Sequence, residues 1–175
     1  MKTSAIPAPT THVVVMGVSG SGKTTLAGLL GTSLGCPVAE ADEFHPAANI
    51  AKMSSGTPLT DEDRWPWLAA IRDWMGSNAE AGTGSVVTCS ALKREYRDLL
   101  RQAPGVVRFI HVTADTQTLT ERMDHRSGHF MPATLLPSQL QTLEPLEADE
   151  DGLTLVNNTT PEDLAARALA GLGCR

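Results

Sequence analysis

No apolar run in the 175-residue sequence approaches the roughly 20 residues that a membrane-spanning helix requires, so no membrane partner is expected. The first eleven residues carry one lysine and two prolines but no apolar signal-peptide core, and they read as a loose tail. Cysteine is scarce: Cys36, Cys89 and Cys174 are odd in number, widely spaced and in no metal-type pattern, as free thiols in a reducing cytosol would be. Basic residues are too few for a nucleic-acid surface, since 14 lysines and arginines against 20 aspartates and glutamates leave a net charge of −6. Internal repeats, low-complexity blocks and clear linkers are missing too. Residues 12–175 therefore read as one domain, long enough to bury an ordinary core.

What the sequence does have is Gly17-Val18-Ser19-Gly20-Ser21-Gly22-Lys23-Thr24, a match to the phosphate-binding pattern G-x-x-x-x-G-K-[ST]. His12 to Met16 ahead of it is a short β-branched run of buried-strand type, and Thr25 to Leu30 behind it reads as a helix. Strand, glycine loop and helix are what the chemistry needs. The glycines permit positive φ and leave no Cβ between backbone and phosphate, so loop N–H groups and the helix N-terminus face the anion. Gly17, Ser19, Gly20, Ser21, Gly22 and Thr25 are thus expected to cradle a nucleoside triphosphate. Lys23 would reach its β- and γ-phosphates, and the Thr24 hydroxyl would ligate Mg²⁺.

Apolar runs alternate with helical patterns through the rest of the chain. Strands are expected at Pro37–Ala41, Ser85–Cys89, Val106–Val112 and Gly152–Val156. Helices are expected at about Asn49–Ser54, from Thr60 to about Asn78, Lys93–Gln102, Thr116–Arg126, and after the capping pair Thr160-Pro161. Trp65, Trp67 and Trp74 recur at helical spacing and read as core. Five strands separated by helices imply a parallel α/β sheet with right-handed crossovers. Ligands of such sheets sit at the carboxyl ends of the strands, which puts Asp42, Ser90 and the segment after Val112 on the phosphate-loop side.

Asp42, at the end of the second strand, is positioned to take a proton from a substrate hydroxyl or to hold Mg²⁺ through water. Arg64 stands near the start of a helix, against the dipole preference, and Lys93 follows the third strand. For each, a bound anion and an ion pair with a neighbouring acid are both open. Arg122 and Arg126 are four apart and share a helix face, ahead of Gly128 and a polar, proline-bearing stretch to about Asp151. In a phosphotransferase this is the layout of a closing lid, roughly residues 122–150, that carries arginines onto the phosphoryl group. His125 and His129 are also four apart, but no glutamate follows His125 and Gly128 disrupts the geometry of a zinc site.

Taken together these residues resemble the gluconate kinases, within the P-loop small-molecule and nucleoside monophosphate kinase superfamily. The likeness is carried by the G-V-S-G-S-G-K-T loop, by D-E-F-H-P-A-A-N-I-A-K-M-S-S-G-T-P-L-T-D-E-D-R-W-P-W-L from Asp42 to Leu68, and by C-S-A-L-K-R-E-Y-R-D-L-L-R from Cys89 to Arg101. It continues through R-S-G-H-F from Arg126 and S-Q-L-Q-T-L-E-P from Ser138, so most of the chain is covered. The resemblance implies a three-layer α/β P-loop kinase fold with a five-stranded parallel sheet, helices on both faces, a mobile lid and usually a homodimer. It implies ATP, with Mg²⁺, as phosphoryl donor and the 6-hydroxyl of D-gluconate as acceptor, giving 6-phosphogluconate for the pentose phosphate pathway in the cytoplasm. By the same likeness Asp42 orients and deprotonates the acceptor hydroxyl, Arg64 and Lys93 are gluconate and phosphate ligands, and His45 and His129 lie near the sugar acid. Arg126 meets the phosphates, Arg122 packs on adenine, and the loop through Thr160 and Pro161 closes the adenine pocket. Many relatives carry D-G-D where this chain has Glu40-Ala41-Asp42; the second acid is kept.

Overall fold

The computed structural model describes residues 10–124 and 135–173. Its architecture grows from β1 (Thr11–Met16), which is buried on both faces beyond its first residue, as a central strand of a parallel sheet must be. With β2 (Val38–Glu40), β3 (Ser85–Thr88), β4 (Val106–Thr113) and β5 (Gly152–Val156) it forms a sheet of order β2-β3-β1-β4-β5, every described pairing parallel. The chain leaves β1 between β3 and β4, where strand order reverses. Crevices that bind ligands open at such a switch point.

Seven helices stand among the described residues: α1 (Lys23–Leu34), α2 (Ala47–Ser54), α3 (Asp61–Glu80), α4 (Arg94–Leu100), α5 (Thr116–Asp124), α6 (Leu136–Thr142) and α7 (Pro161–Gly171). Strand alternation divides the core in two. Val14, Met16, Val87 and Phe109 pack with Leu68 and Ile71 of α3 and Leu100 of α4. Val13, Val15, Val86 and Ile110 pack with Leu26 and Leu30 of α1 and Leu164 and Ala168 of α7. This is the expected three-layer α/β arrangement. Trp67 is buried in the first cluster, and Trp65 and Trp74 pack against it, so the tryptophans are core.

The expected elements are present, with three local differences. β2 stops at Glu40, and Ala41–Phe44 forms a 3₁₀ turn, so Asp42 lies just past the strand end. Helix α3 starts at a capping box, Thr60 receiving the Asp63 amide and Asp63 receiving the Thr60 amide, and it continues through Pro66. Pro66 is its sixth residue, one turn deeper than the cost-free positions, so the Glu62 carbonyl goes without its helical donor. The stretch read as a proline-bearing connection contains α6, whose Pro137 falls in the first turn where no amide bond is lost.

The return from α6 is fastened to α4 by a buried ion pair. Arg97, fully buried, donates from Nε to Glu150 Oε1 at 2.6 Å and from Nη2 to Oε2 at 2.9 Å. Its Nη1 reaches the carbonyls of Ala91 (2.9 Å) and Glu144 (3.0 Å). The Glu144 side chain accepts from the Arg94 amide at 2.8 Å, and its own amide donates to Leu92 O at 2.6 Å. Of the expected lid, residues 125–134 lie outside the described residues, as do residues 1–9 of the tail.

Candidate active site

Positive φ values at Gly17 (146°), Gly20 (83°) and Gly22 (101°) wind the loop after β1 around the N-terminus of α1. A Cβ on Gly22 would collide with the Asn157 amide, which donates from Nδ2 to Ser21 O at 2.8 Å. Lys23 Nζ donates to the carbonyls of Gly17 (2.9 Å) and Val18 (3.0 Å), so the loop itself positions the ammonium group. Ser21 is completely buried, and its Oγ finds no hydrogen-bond partner among the described residues. The Ser19 amide donates to Gln139 Oε1 of α6 at 2.7 Å, a side-chain oxygen resting on an anion-binding loop.

A cleft of about 390 Å³ opens beside this loop. Ser19, Gly20, Gly22, Lys23, Thr24 and Thr25 line one wall; Asp42, His45, Arg64 and Trp67 line another. Leu135, Ser138 and Gln139 cover it from the α6 side, and Leu135 packs with Met53 and Leu59. Cys89 also lines the cleft, but burial pushes its thiol up to about 12, so it is an inert wall.

The acceptor wall is built in layers. Trp67 donates from Nε1 to Ala41 O at 2.7 Å, and the His45 ring stacks on it at 4.1 Å with 13° between planes. Burial drives His45 down to about 4 against the pull of the Asp42 carboxylate, with Arg64 adding to the fall, so the ring is neutral at pH 7. Arg64 donates from Nη1 to the Tyr96 hydroxyl at 2.9 Å, and its guanidinium lies 5.4 Å from the Tyr96 ring centroid. Tyr96 in turn donates to Asp61. That hydrogen bond, with help from Lys93, holds Asp61 below the usual carboxylate range. Lys93 caps α4 and pairs with Asp61 at 3.2 Å, outside the cleft lining. Both cations pair with Asp61, Lys93 at 3.2 Å and Arg64 at 3.9 Å, but of the two Arg64 alone also lines the cleft.

Arg122 of α5 bridges to a second cavity of about 300 Å³, lined also by Gly22, Thr25, Asn157, Thr159 and Pro161. Its Nη1 donates to Gly20 O at 3.1 Å. Thr160 caps α7 through the Asp163 amide at 3.2 Å. The loop before α7 and the arginine thus line one cavity beside the phosphate loop. Arg126 and His129 lie outside the described residues.

For a divalent cation the donors at hand are the Thr24 hydroxyl and the Asp42 carboxylate, both lining the cleft. No group of three or more metal-ligating side chains occurs among the described residues. One hydroxyl and one carboxylate suit Mg²⁺ held chiefly by phosphate oxygens and water, and this donor set fits. Glu40 accepts from the Thr88 hydroxyl at 2.5 Å and also lines the cleft. Sequence reasoning gave no role to Gln139, Asn157, Asn49 or Tyr96. Gln139 and Asn49 fall within the quoted motif stretches, whereas nothing local distinguishes Asn157.

A family model described as an AAA domain matches residues 13–131. A gluconokinase of Gluconobacter oxydans is 51% identical over 86% of this chain and 84% of its own. Among solved structures, a sugar kinase from Janibacter sp. superposes with a TM-score of 0.90 at 55% identity, covering 94% of this chain and 95% of that one. A gluconokinase from Sinorhizobium meliloti gives 0.83 at 45% identity, covering 95% and 94%.

Proposed function

The chain belongs to the gluconokinase family, and from that premise we propose that it transfers the γ-phosphoryl group of ATP to the 6-hydroxyl of D-gluconate, giving 6-phospho-D-gluconate and ADP. The observation that carries this reading is a single cleft in which Lys23 and Thr24 face Asp42, His45 and Arg64. A phosphate cradle thus opposes a wall that carries the Asp42 carboxylate, a neutral ring and a guanidinium, with Glu40 engaged by Thr88, the complement of an anionic polyol.

The chemistry is chiefly positioning and charge neutralisation. The Asp42 carboxylate accepts the proton of the 6-hydroxyl as that oxygen bonds to the γ-phosphorus. The bond from phosphorus to the bridging oxygen breaks, and the electron pair leaves on ADP. Lys23 and the lid arginine Arg126 offset charge on the transferring group, Arg64 takes the acid with His129 in support, and Lys93 acts from outside the cleft by pairing with Asp61 beside Arg64. Thr24 and, through water, Asp42 would hold Mg²⁺, which would supply further charge neutralisation. Arg122 and the Thr160-Pro161 loop enclose adenine. Closure of a lid at about residues 122–150 over a single domain (12–175, with a tail at 1–11) excludes water that would otherwise consume ATP. The enzyme acts as a cytoplasmic homodimer feeding the pentose phosphate pathway.

Coupled ADP release with Mg·ATP against gluconate, shikimate, AMP and no acceptor tests the reading. Release with gluconate alone is expected. Release with shikimate or AMP instead would retain the phosphate loop and overturn the sugar-acid site. ATP binding with no acceptor-dependent release would make the chain a nucleotide-binding module.

A further inference from the structure

Within the segment His45-Pro46-Ala47-Ala48-Asn49-Ile50-Ala51-Lys52-Met53, one side chain settles the protonation pattern of another. Asn49 is 4% exposed and lies in the first turn of α2. Its Nδ2 is 2.9 Å from the backbone carbonyl oxygen of Asp63 and 3.3 Å from His45 Nδ1. A carbonyl only accepts, so the amide nitrogen, not the amide oxygen, stands at Asp63. The same nitrogen then presents its other hydrogen to His45 Nδ1, which must hold a lone pair. A neutral imidazole carries one proton, and Nε2 is the atom left for it.

The surrounding contacts hold this geometry. The Asp63 carboxylate accepts from Lys52 Nζ at 2.6 Å and from the Thr60 amide at 2.9 Å, so Asn49 and Lys52 both anchor α2 to the start of α3 through one residue. The Trp67 indole, itself fixed to Ala41 O, backs the imidazole ring.

We propose that Asn49 is a positioning residue that locks His45 as the Nε2–H tautomer, so that the histidine offers the acceptor a neutral hydrogen-bond donor and serves neither as a cation nor as a base. This deepens the gluconate reading and rests on it for the identity of the acceptor; the tautomer itself does not. A polyhydroxy chain presents oxygens that such a donor satisfies without adding charge, and the carboxylate remains for Arg64.

The test is a long-range proton–nitrogen correlation spectrum of the histidine rings in the full-length ¹⁵N-labelled protein, with His45 assigned by its loss in His45→Gln. Wild-type protein should show an unprotonated Nδ1 and a protonated Nε2 at pH 7. Asn49→Asp places an acceptor oxygen in nearly the same volume. It should move the proton to Nδ1 or add a second one, and raise the gluconate KM by about tenfold or more with the KM for ATP unchanged. A wild-type ring protonated on Nδ1 overturns the proposal without any variant, and so does an unaltered tautomer in folded Asn49→Asp. A tautomer change that leaves the gluconate KM in place overturns the role in acceptor binding. If wild-type protein ignores gluconate and still shows the Nε2–H ring, the functional reading has failed and the tautomer lock stands.

Discussion

Lys23 Nζ is held at 2.9 and 3.0 Å by two carbonyls of its own loop, so its charge is already in place before a phosphate arrives. Preorganised charge of this kind acts on the transition state more than on the fold. Lys23→Ala should therefore cut kcat by orders of magnitude with little change in thermal midpoint, since no buried apolar contact is lost. Asp42→Asn should lower kcat by about 10²–10⁴-fold, the usual worth of a general base, and leave ATP affinity close to wild type. Steady-state kinetics beside a thermal melt checks both; activity within tenfold of wild type in either variant removes the role assigned to it. At this scale the phosphate loop was fully legible, because its function lies in backbone geometry that glycine spacing encodes. Arg64 and Lys93 were not separable by eye. Which cation enters the cleft depends on Asp61 and Tyr96: Asp61 lies one turn from Arg64 on α3, but Tyr96 reaches Arg64, and Lys93 reaches Asp61, only across the interface of α3 and α4.

The same limit applies one level up, to whole elements. Strands and long helices announced themselves through periodicity, and β5 was read residue for residue. Helix α6 was not read, because seven residues opening on Leu-Pro carry too little pattern to tell a helix from a connection. Its function is set by tertiary contact: Gln139 reaches the Ser19 amide, and the strand-ward return is pinned by Arg97 and Glu150. In sequence Arg97 is an ordinary helical arginine, yet it is fully buried. Burial works against the Glu150 carboxylate, but Arg97, the Glu147 amide and Arg101 together overcome it and hold the group down at about 2. Removing Arg97 takes two charge-assisted hydrogen bonds from Glu150 and leaves it Arg101 and the Glu147 amide, so the loss lies toward the lower end of the about 3–5 kcal/mol that breaking a buried pair costs. Arg97→Met should lower the urea midpoint by about 1 M or more, given a slope of about 1–3 kcal/mol per molar. A change equivalent to less than about 1 kcal/mol would mean that water satisfies Glu150 and that the clamp is dispensable.

Across the whole molecule the titrating groups divide into two sets with separate pH windows. His12, His45 and His111 are all held below the ordinary histidine value of 6.5, chiefly by burial, and the last two reach about 4. His45 and His111 are neutral in the folded chain and protonated in the unfolded chain between those limits, and His12 shifts in the same direction. The unfolded state then binds more protons, so stability is complete above about pH 6.5 and falls as the pH drops toward 4. His111 is 3% exposed, and its Nδ1 has no hydrogen-bond partner among the described residues, so it alone accounts for on the order of 2–3 kcal/mol across this window. The carboxylates behave differently. Asp63 and Glu150 are held down to about 2, which places their contribution above their unfolded values near 4 and its loss below that. Urea titrations at pH 7.5, 6, 5 and 4 should therefore show a decline that begins near pH 6.5, well before any carboxylate protonates. His111→Gln should flatten the upper part of that decline, because glutamine has no proton to gain. A stability curve level down to pH 4.5 would place these histidines in water rather than in the core, and would contradict the packing around β1, β4 and α3.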